Sequence, residues 1–345
     1  MTTYKIALLA GDGIGPEVCA EAVKVLRATE HDFALSFTDF NVGAAEYLRS
    51  GDPLPEAVFA QLPNYDAILL GAMGLPDVRW PNGIEMTPQL DLRERLDLYC
   101  GLRPVRTYHP ADSPLKNGAV DFLLIRESTE GLFVNRKQQT PPGARQVEDT
   151  LRITRTGAER IIHAAFRAAA KRRSHVTLVD KANVLPSMAF FRAIFDEIAA
   201  QYPAIETSRV YVDATALYMV QSPARFDVLV TENMFGDILS DLAAAIVGGM
   251  GMAPSADIGD RYAVFQPSHG SAPDIAGKGV ANPVATILSA AMMLDWFDAE
   301  PTRTAASKIR RAVEAVFADP LRRTSDMGGR MSTSEMGDAI VKQLK

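Results

Sequence analysis

Apolar residues in this chain gather in short runs separated by stretches with a helical repeat. Tyr4 to Ala10, Ala67 to Met73, Phe122 to Arg126, Val176 to Lys181 and Asp227 to Thr231 have the length and continuity of buried strands. From Pro16 onward, Val18, Ala22, Val25 and Leu26 fall at i, i+4, i+7 and i+8, one stripe of a helix whose first turn suits a proline. A second helix is predicted over Thr156 to Arg172, burying Ile161, Ile162, Ala165, Phe166 and Ala169. A strongly apolar third runs from Val284 to Phe297. Strands alternating with amphipathic helices predict an α/β layer architecture.

Two places punctuate the pattern. Tyr99 to Pro104 follows a charged helix, and Gly248-Gly249-Met250-Gly251 ends a long apolar one; both are candidate crossovers between lobes. Gln138 to Asp149 contains Pro141-Pro142-Gly143 and polar residues, so it is a loop or projecting arm. No repeat or low-complexity tract appears, and no linker separates independent domains.

Composition narrows the class. The 345 residues are 47% apolar, enough for a large core, and the run Ile6 to Ala10 is too short for a signal-peptide core or a membrane span. Two cysteines, Cys19 and Cys100, lie far apart without a CxxC partner, which suggests neither disulfide nor zinc and fits a reducing cytoplasm. A net charge of −6 speaks against a nucleic-acid partner. The basic clusters Lys171 to Arg173 and Arg322 to Arg323 are read as helix C-termini or solvated faces.

Five constellations carry candidate chemistry. Gly11-Asp12-Gly13-Ile14-Gly15-Pro16-Glu17 lies between a strand and a helix but places proline where a dinucleotide fingerprint needs a small residue. It is either a tight turn or a ligand loop of another kind. Asp237 and Asp241 stand one helical turn apart, where like charges repel and a cation relieves them. With Asp213 they form an acidic trio of hard oxygen ligands suited to Mg²⁺ or Mn²⁺; the plainer alternative is that they favour a helix N-terminus. Arg93, Arg103 and Arg126 sit in apolar settings, and guanidinium forks bind carboxylates. Lys181 ends an apolar strand, where a partly desolvated ammonium can serve as a base or simply make a salt bridge. The segment Pro267 to Pro283 has no periodicity and is too long for an idle connection. Its small residues allow a nucleotide to approach backbone, while Asp274 can accept from ribose hydroxyls and repel a 2'-phosphate.

Taken in order, these strings resemble the β-decarboxylating dehydrogenases, the family of 3-isopropylmalate, isocitrate, homoisocitrate and tartrate or D-malate dehydrogenases. The likeness runs end to end. It is carried by Gly11 to Glu17, Leu102-Arg103-Pro104, Arg126-Glu127, Asp180 to Asn183, Tyr211 to Ala214, Asn233 to Asp241 and His269 to Pro283. Ser222 to Asp227 and Ala290 to Leu294 resemble the isopropylmalate branch most.

The resemblance implies a two-lobed α/β fold distinct from a standard Rossmann domain. Residues 1–97 and 249–345 would form an outer, cofactor-binding domain, and residues 98–248 an inner domain that dimerises, with an arm near 130–155. It further implies a homodimer with shared sites, to which the partner brings the equivalents of Lys181 and Asp213. Arg93, Arg103 and Arg126 would hold a hydroxy-dicarboxylic acid, and Asp213, Asp237 and Asp241 a divalent metal. NAD would lie against His269, Gly270, Ser271, Ala272, Asp274, Ile275 and Asn282, the pair Asp274-Ile275 standing where NADP users carry a cationic or tyrosine-containing pair. The implied reaction is oxidation, then decarboxylation, of a malate-type acid, with 3-isopropylmalate the leading substrate.

Two departures stand out. Phe133 occupies the place of a proton-donating tyrosine. Thr87 and Gln89 replace aliphatic residues ahead of Arg93, and they can hydrogen-bond a polar substituent; a tartrate, D-malate or homoisocitrate-type acid is the alternative substrate. A metal-dependent phosphohydrolase would also use clustered aspartates, arginines and a lysine, but it leaves the His269 to Pro283 loop without a task.

Overall fold

All five predicted runs become strands of one sheet in the computed structural model, which describes residues 1–116 and 118–344. The ten strands are β1 (Thr2–Gly11), β2 (Phe33–Asp39), β3 (Ala67–Ala72), β4 (Cys100–Arg106), β5 (Asp121–Glu127), β6 (His175–Asp180), β7 (Glu206–Tyr211), β8 (Val228–Thr231), β9 (Pro254–Ile258) and β10 (Ala263–Pro267). Their order across the sheet is β2-β1-β3-β10-β9-β4-β5-β8-β6-β7.

The two flanks are parallel and the middle is not. β2, β1, β3 and β10 run parallel, as do β5, β8, β6 and β7, whereas β9 and β4 pair antiparallel with each other and with β10 and β5. This departs from a doubly wound dinucleotide-binding sheet. The half ending in β9 comes from residues before 98 and after 248, and the half beginning with β4 from the residues between. Helices cover both faces, which is why Ile6, Ala7 and Leu9 are all buried along β1 and the strand reads as a continuous apolar run.

The helices are α1 (Gly15–Arg27), α2 (Ala44–Ser50), α3 (Glu56–Phe59), α4 (Pro88–Arg95), α5 (Arg155–Ala169), α6 (Pro186–Ala199), α7 (Val212–Gln221), α8 (Asn233–Ala245), α9 (Val284–Trp296), α10 (Glu300–Phe317) and α11 (Thr333–Leu344). The α9 run from Val284 to Ala291 is buried on every side, so its sequence shows no polar stripe. Gly248 and Gly249, at φ +115° and +100°, turn the chain out of α8 towards β9. Among the described residues no helix is long and apolar enough to cross a membrane.

Three expectations take structural form, and the one for Arg323 is corrected. The crossover Tyr99 to Pro104 is itself strand β4 from Cys100 on; Pro104 is tolerated because β9 pairs only with Cys100 to Leu102. Arg323 is buried rather than solvated, giving Nε and Nη2 to Asp112 at 2.8 and 3.0 Å and further donors to the carbonyls of Phe317, Asp319 and Arg322. Lys171 to Arg173 follow the C-terminus of α5 as expected, and Asp227 accepts from Arg172 Nε at 2.8 Å and from the Arg173 amide at 2.9 Å. Cys19 and Cys100 are free thiols, buried, and burial pushes both up to about 12, so neither is a nucleophile near neutrality.

Candidate active site

Strand parity builds the floor of one pocket. Gly101 pairs with both Arg126 on β5 and Asp257 on β9, and Arg103 lies two residues from Gly101, so all four face the same side of the sheet. A side chain at Gly101 would meet Ser128 Oγ at 2.6 Å and Asp257 Oδ1 at 3.2 Å; glycine keeps that space open. Helix α4 lays Arg93 over the same face, where its Nε donates to Asp257 Oδ2 at 3.0 Å. The pocket is lined by Gln89, Arg93, Arg103, Arg126, Asp237, Ser240, Asp241, Ser255, Gln266 and the segment Pro267 to Gly270.

The electrostatics follow from burial. Arg93, Arg103 and Arg126 are all buried, and Asp257 is 0% exposed. Burial alone would raise the Asp257 carboxyl, but the guanidiniums of Arg93, Arg103 and Arg126 outweigh it and hold the group at about 2. Arg126 is brought down to about 10, first by burial and then by the like charge of Arg93; it stays cationic at neutral pH. Its Nε donates to Asn233 Oδ1 at 2.8 Å and its Nη1 to Asp237. Gly236 lets α8 come this close, since a Cβ there would lie 2.6 Å from Arg126 Cγ.

The two helical aspartates are not capping residues. Glu232 caps α8, accepting from the amides of Phe235 and Met234 at 2.6 and 3.1 Å, which leaves Asp237 and Asp241 in later turns. The Asp241 carboxyl is raised, by burial and then by Asp237, the repulsion that a cation would relieve. Asp213 is elsewhere, at the start of α7, accepting from Lys181 Nζ at 2.7 Å. Lys181 and Asp213 do not line the pocket, and among the described residues of one chain no group of three acids, histidines or cysteines is set to hold a metal.

The loop after β10 leans on the glycine turn after β1. Ile14 N–H donates to Ser271 O at 2.8 Å, and a side chain at Gly13 would meet that carbonyl at 1.9 Å. Ile14, Val18 and Ala281 form a small apolar cluster with Ala272, Ile275 and Ala276. Asp12 takes the amides of Ala44, Ala45 and Gly74 at 2.7, 2.9 and 2.8 Å. The turn therefore carries the loop.

Within that loop His269 and Gly270 reach the pocket. His269 Nδ1 lies 2.9 Å from Gly270 O, and its Nε2 is buried with no partner among the described residues. Ser271 is buried and donates to Gly74 O. Ala272 holds φ +39° ahead of the turn carrying Asp274, which is exposed, and half-buried Ile275. Asn282 is not brought to the pocket wall. Its amide donates to Asp326 Oδ2 at 3.1 Å and its Oδ1 accepts from Val284 N–H at 3.1 Å, at the start of α9. Thr87 is likewise turned away: Pro88 begins α4, and the Thr87 hydroxyl accepts from Arg136 Nη1 at 3.1 Å. Gln89 does line the pocket, with its Oε1 buried and unpartnered among the described residues.

Asp257 and Gln266 were missed from sequence because β9 and β10 were not predicted. An acid inside Pro254-Ser255-Ala256-Asp257-Ile258 was the signal available.

The comparisons agree with this geometry. Residues 5–340 match the Isocitrate/isopropylmalate dehydrogenase family. The chain is 45% identical to the 3-isopropylmalate dehydrogenase of Corynebacterium aurimucosum, with 99% of each chain covered. It is 42% identical to that of Aquifex aeolicus, with 100% of this chain and 98% of the other covered. The solved isocitrate dehydrogenase from Methylococcus capsulatus superposes with a TM-score of 0.89 at 39% identity over 99% of both chains. These matches leave the phosphohydrolase alternative without support. With its sheet, its arginine-lined pocket and nearly its whole length shared with such proteins, the chain belongs to the isocitrate/isopropylmalate dehydrogenase family and is a decarboxylating dehydrogenase.

Proposed function

We propose that this enzyme oxidises and decarboxylates 3-isopropylmalate with NAD and Mg²⁺ or Mn²⁺, acting as a cytoplasmic homodimer. The observation that carries the reading is the convergence of Arg93, Arg103 and Arg126 with Asp237 and Asp241 on one pocket beside His269. Relatives at 42–45% identity bear the name 3-isopropylmalate dehydrogenase.

The donor sets fit both groups. Asp237 and Asp241 are hard oxygen ligands one turn apart, and the unpartnered His269 Nε2 offers an acceptor to a nucleotide. When bound, such a cation supplies Lewis-acid polarisation of the substrate oxygens, and NAD accepts a hydride. Arg93 and Arg103 would hold the carboxylates, and Arg126 would serve both the acid and Asp237. His269, Gly270, Ser271, Ala272, Asp274, Ile275 and Asn282 frame the loop assigned to NAD. The exposed carboxylate of Asp274 disfavours the 2'-phosphate of NADP.

The homodimer reading rests on what one chain leaves open. Val184, Leu217, Val220 and Ile238 are large apolar side chains that stand 64%, 51%, 47% and 61% exposed. Three of these lie on α7 and α8, the helices that also carry Asp213, Asp237 and Asp241. Pairing through this face would let Lys181 and Asp213 of the partner subunit complete the site, Lys181 taking the proton of the C2 hydroxyl as the hydride leaves C2. The carboxylate beta to the new carbonyl then departs as CO₂, and the enol left behind regains a proton at carbon. Residues 98–248 would be the paired inner domain, with an arm near 130–155, and residues 1–97 and 249–345 the outer one.

NADH absorbance with each metal and a panel of 3-isopropylmalate, D-malate, tartrate, isocitrate and homoisocitrate tests the reading. The highest kcat/KM is expected with 3-isopropylmalate and NAD. No signal with any acid, or an equal or higher value with NADP, overturns the corresponding part. A polar acid such as tartrate is the second reading, favoured by the unpartnered Gln89 Oε1.

A further inference from the structure

Three guanidiniums in one buried wall repel each other, and the only carboxylate beneath the Arg93–Arg103 pair among the described residues is Asp257. It lies on β9, diagonal to Gln266 on β10, and Gln266 Nε2 donates to Asp257 Oδ2 at 2.6 Å. The same Oδ2 accepts from Arg93 Nε at 3.0 Å, while Oδ1 accepts from Arg103 Nη2 at 3.3 Å. Arg103 Nη1 is tied to the carbonyls of Leu102 and Ala256. Among the described residues the Arg93 side chain makes no hydrogen bond besides the one through Nε, which leaves its two terminal nitrogens for a ligand.

We propose that Asp257, steered by Gln266, is a positioning residue that holds Arg93 and Arg103 in the orientation in which they receive a substrate carboxylate. The inference rests on the reading that these arginines bind the acid. Asp257 itself is wholly buried and reaches the substrate only through them. A guanidinium anchored through Nε keeps its terminal fork fixed in its plane, so the carboxylate meets donors already in place. Without the anchor the two cations would swing apart, and each encounter would have to order them again.

The test compares steady-state kinetics of the wild type, Asp257→Asn and the double variant Asp257→Asn with Gln266→Glu, which moves the carboxylate across the hydrogen-bonded pair. KM for the acid is expected to rise about 10- to 100-fold in Asp257→Asn, as for loss of a charge-assisted bond, with kcat changed less than about threefold. The double variant is expected to recover most of the KM. A purely structural role would lower the folded fraction, and with it the apparent kcat, without moving KM. An unchanged KM in folded Asp257→Asn overturns the proposal, and so does a folded double variant whose KM stays high. Should Asp257→Asn fail to fold, the double variant alone decides, a wild-type KM supporting the proposal. Failure of the functional reading is distinguishable, because the wild type would then turn over none of the acids.

Discussion

The guanidinium carbon of Arg126 lies 5.2 Å from the centre of the Phe133 ring. Gly131, at φ +76°, makes the turn that brings this ring in, because a side chain there would meet Glu232 Oε2 at 2.7 Å and Asn233 Cβ at 2.9 Å. A phenyl ring beside the pocket can screen a cation from water but cannot donate a proton. Phe133→Tyr adds a hydroxyl there, and turnover is expected to rise, by up to about tenfold if reprotonation of the enol limits the wild type. Turnover and deuterium incorporation from D₂O check this; if neither changes, another donor serves the enol.

Among the described residues Gln89 presents a buried carbonyl oxygen with nothing to accept from, and leaving such a group unpaired against an aliphatic tail costs about 1 to 3 kcal/mol. Gln89→Leu is therefore expected to raise kcat/KM for 3-isopropylmalate by about tenfold and to lower it for tartrate. Should the ratio of the two acids stay constant, Gln89 has no part in selection.

Lys181 pairs with Asp213 away from the pocket that holds Asp241. If subunits exchange these groups, Lys181→Ala and Asp241→Asn proteins are each inactive, but co-refolded mixtures regain about a quarter of wild-type activity through the one intact site of each mixed dimer. Mixtures as silent as their components would place all the chemistry within single chains.

Acid stability reports on Asp257. Its carboxyl is held at about 2, below the ordinary value near 4, so its contribution is full above pH 4 and lost as pH falls through 2. The melting temperature of Asp257→Asn should lie below that of the wild type at neutral pH, the gap closing between about pH 4 and pH 2. Other carboxylates titrate alike in both proteins and cancel. A gap that is constant or widens in acid contradicts the ion pairing described.

Strands with an unbroken apolar run were legible because helices cover both faces of the sheet, and any polar residue there would be buried. β2, β7, β9 and β10 escaped because they are short, carry polar residues or end in proline, so no period distinguishes them from loops. Arg93, Arg103 and Arg126 were visible as charges in apolar surroundings. Thr87 was not separable from Gln89 by spacing, because which of them faces the pocket depends on where α4 begins and on Arg136 from a distant turn.

The chemical inventory and the layer type are written along the chain: which side chains can carry charge, and which stretches must be buried. The tertiary structure alone decided the pairings. Asp257 sits 164 residues from Arg93 and 154 from Arg103, and only the antiparallel register of β4 and β9 sets it beneath both. Local propensity acts over a few residues, whereas the field that holds a buried ion depends on whatever the folded sheet brings within a few ångströms.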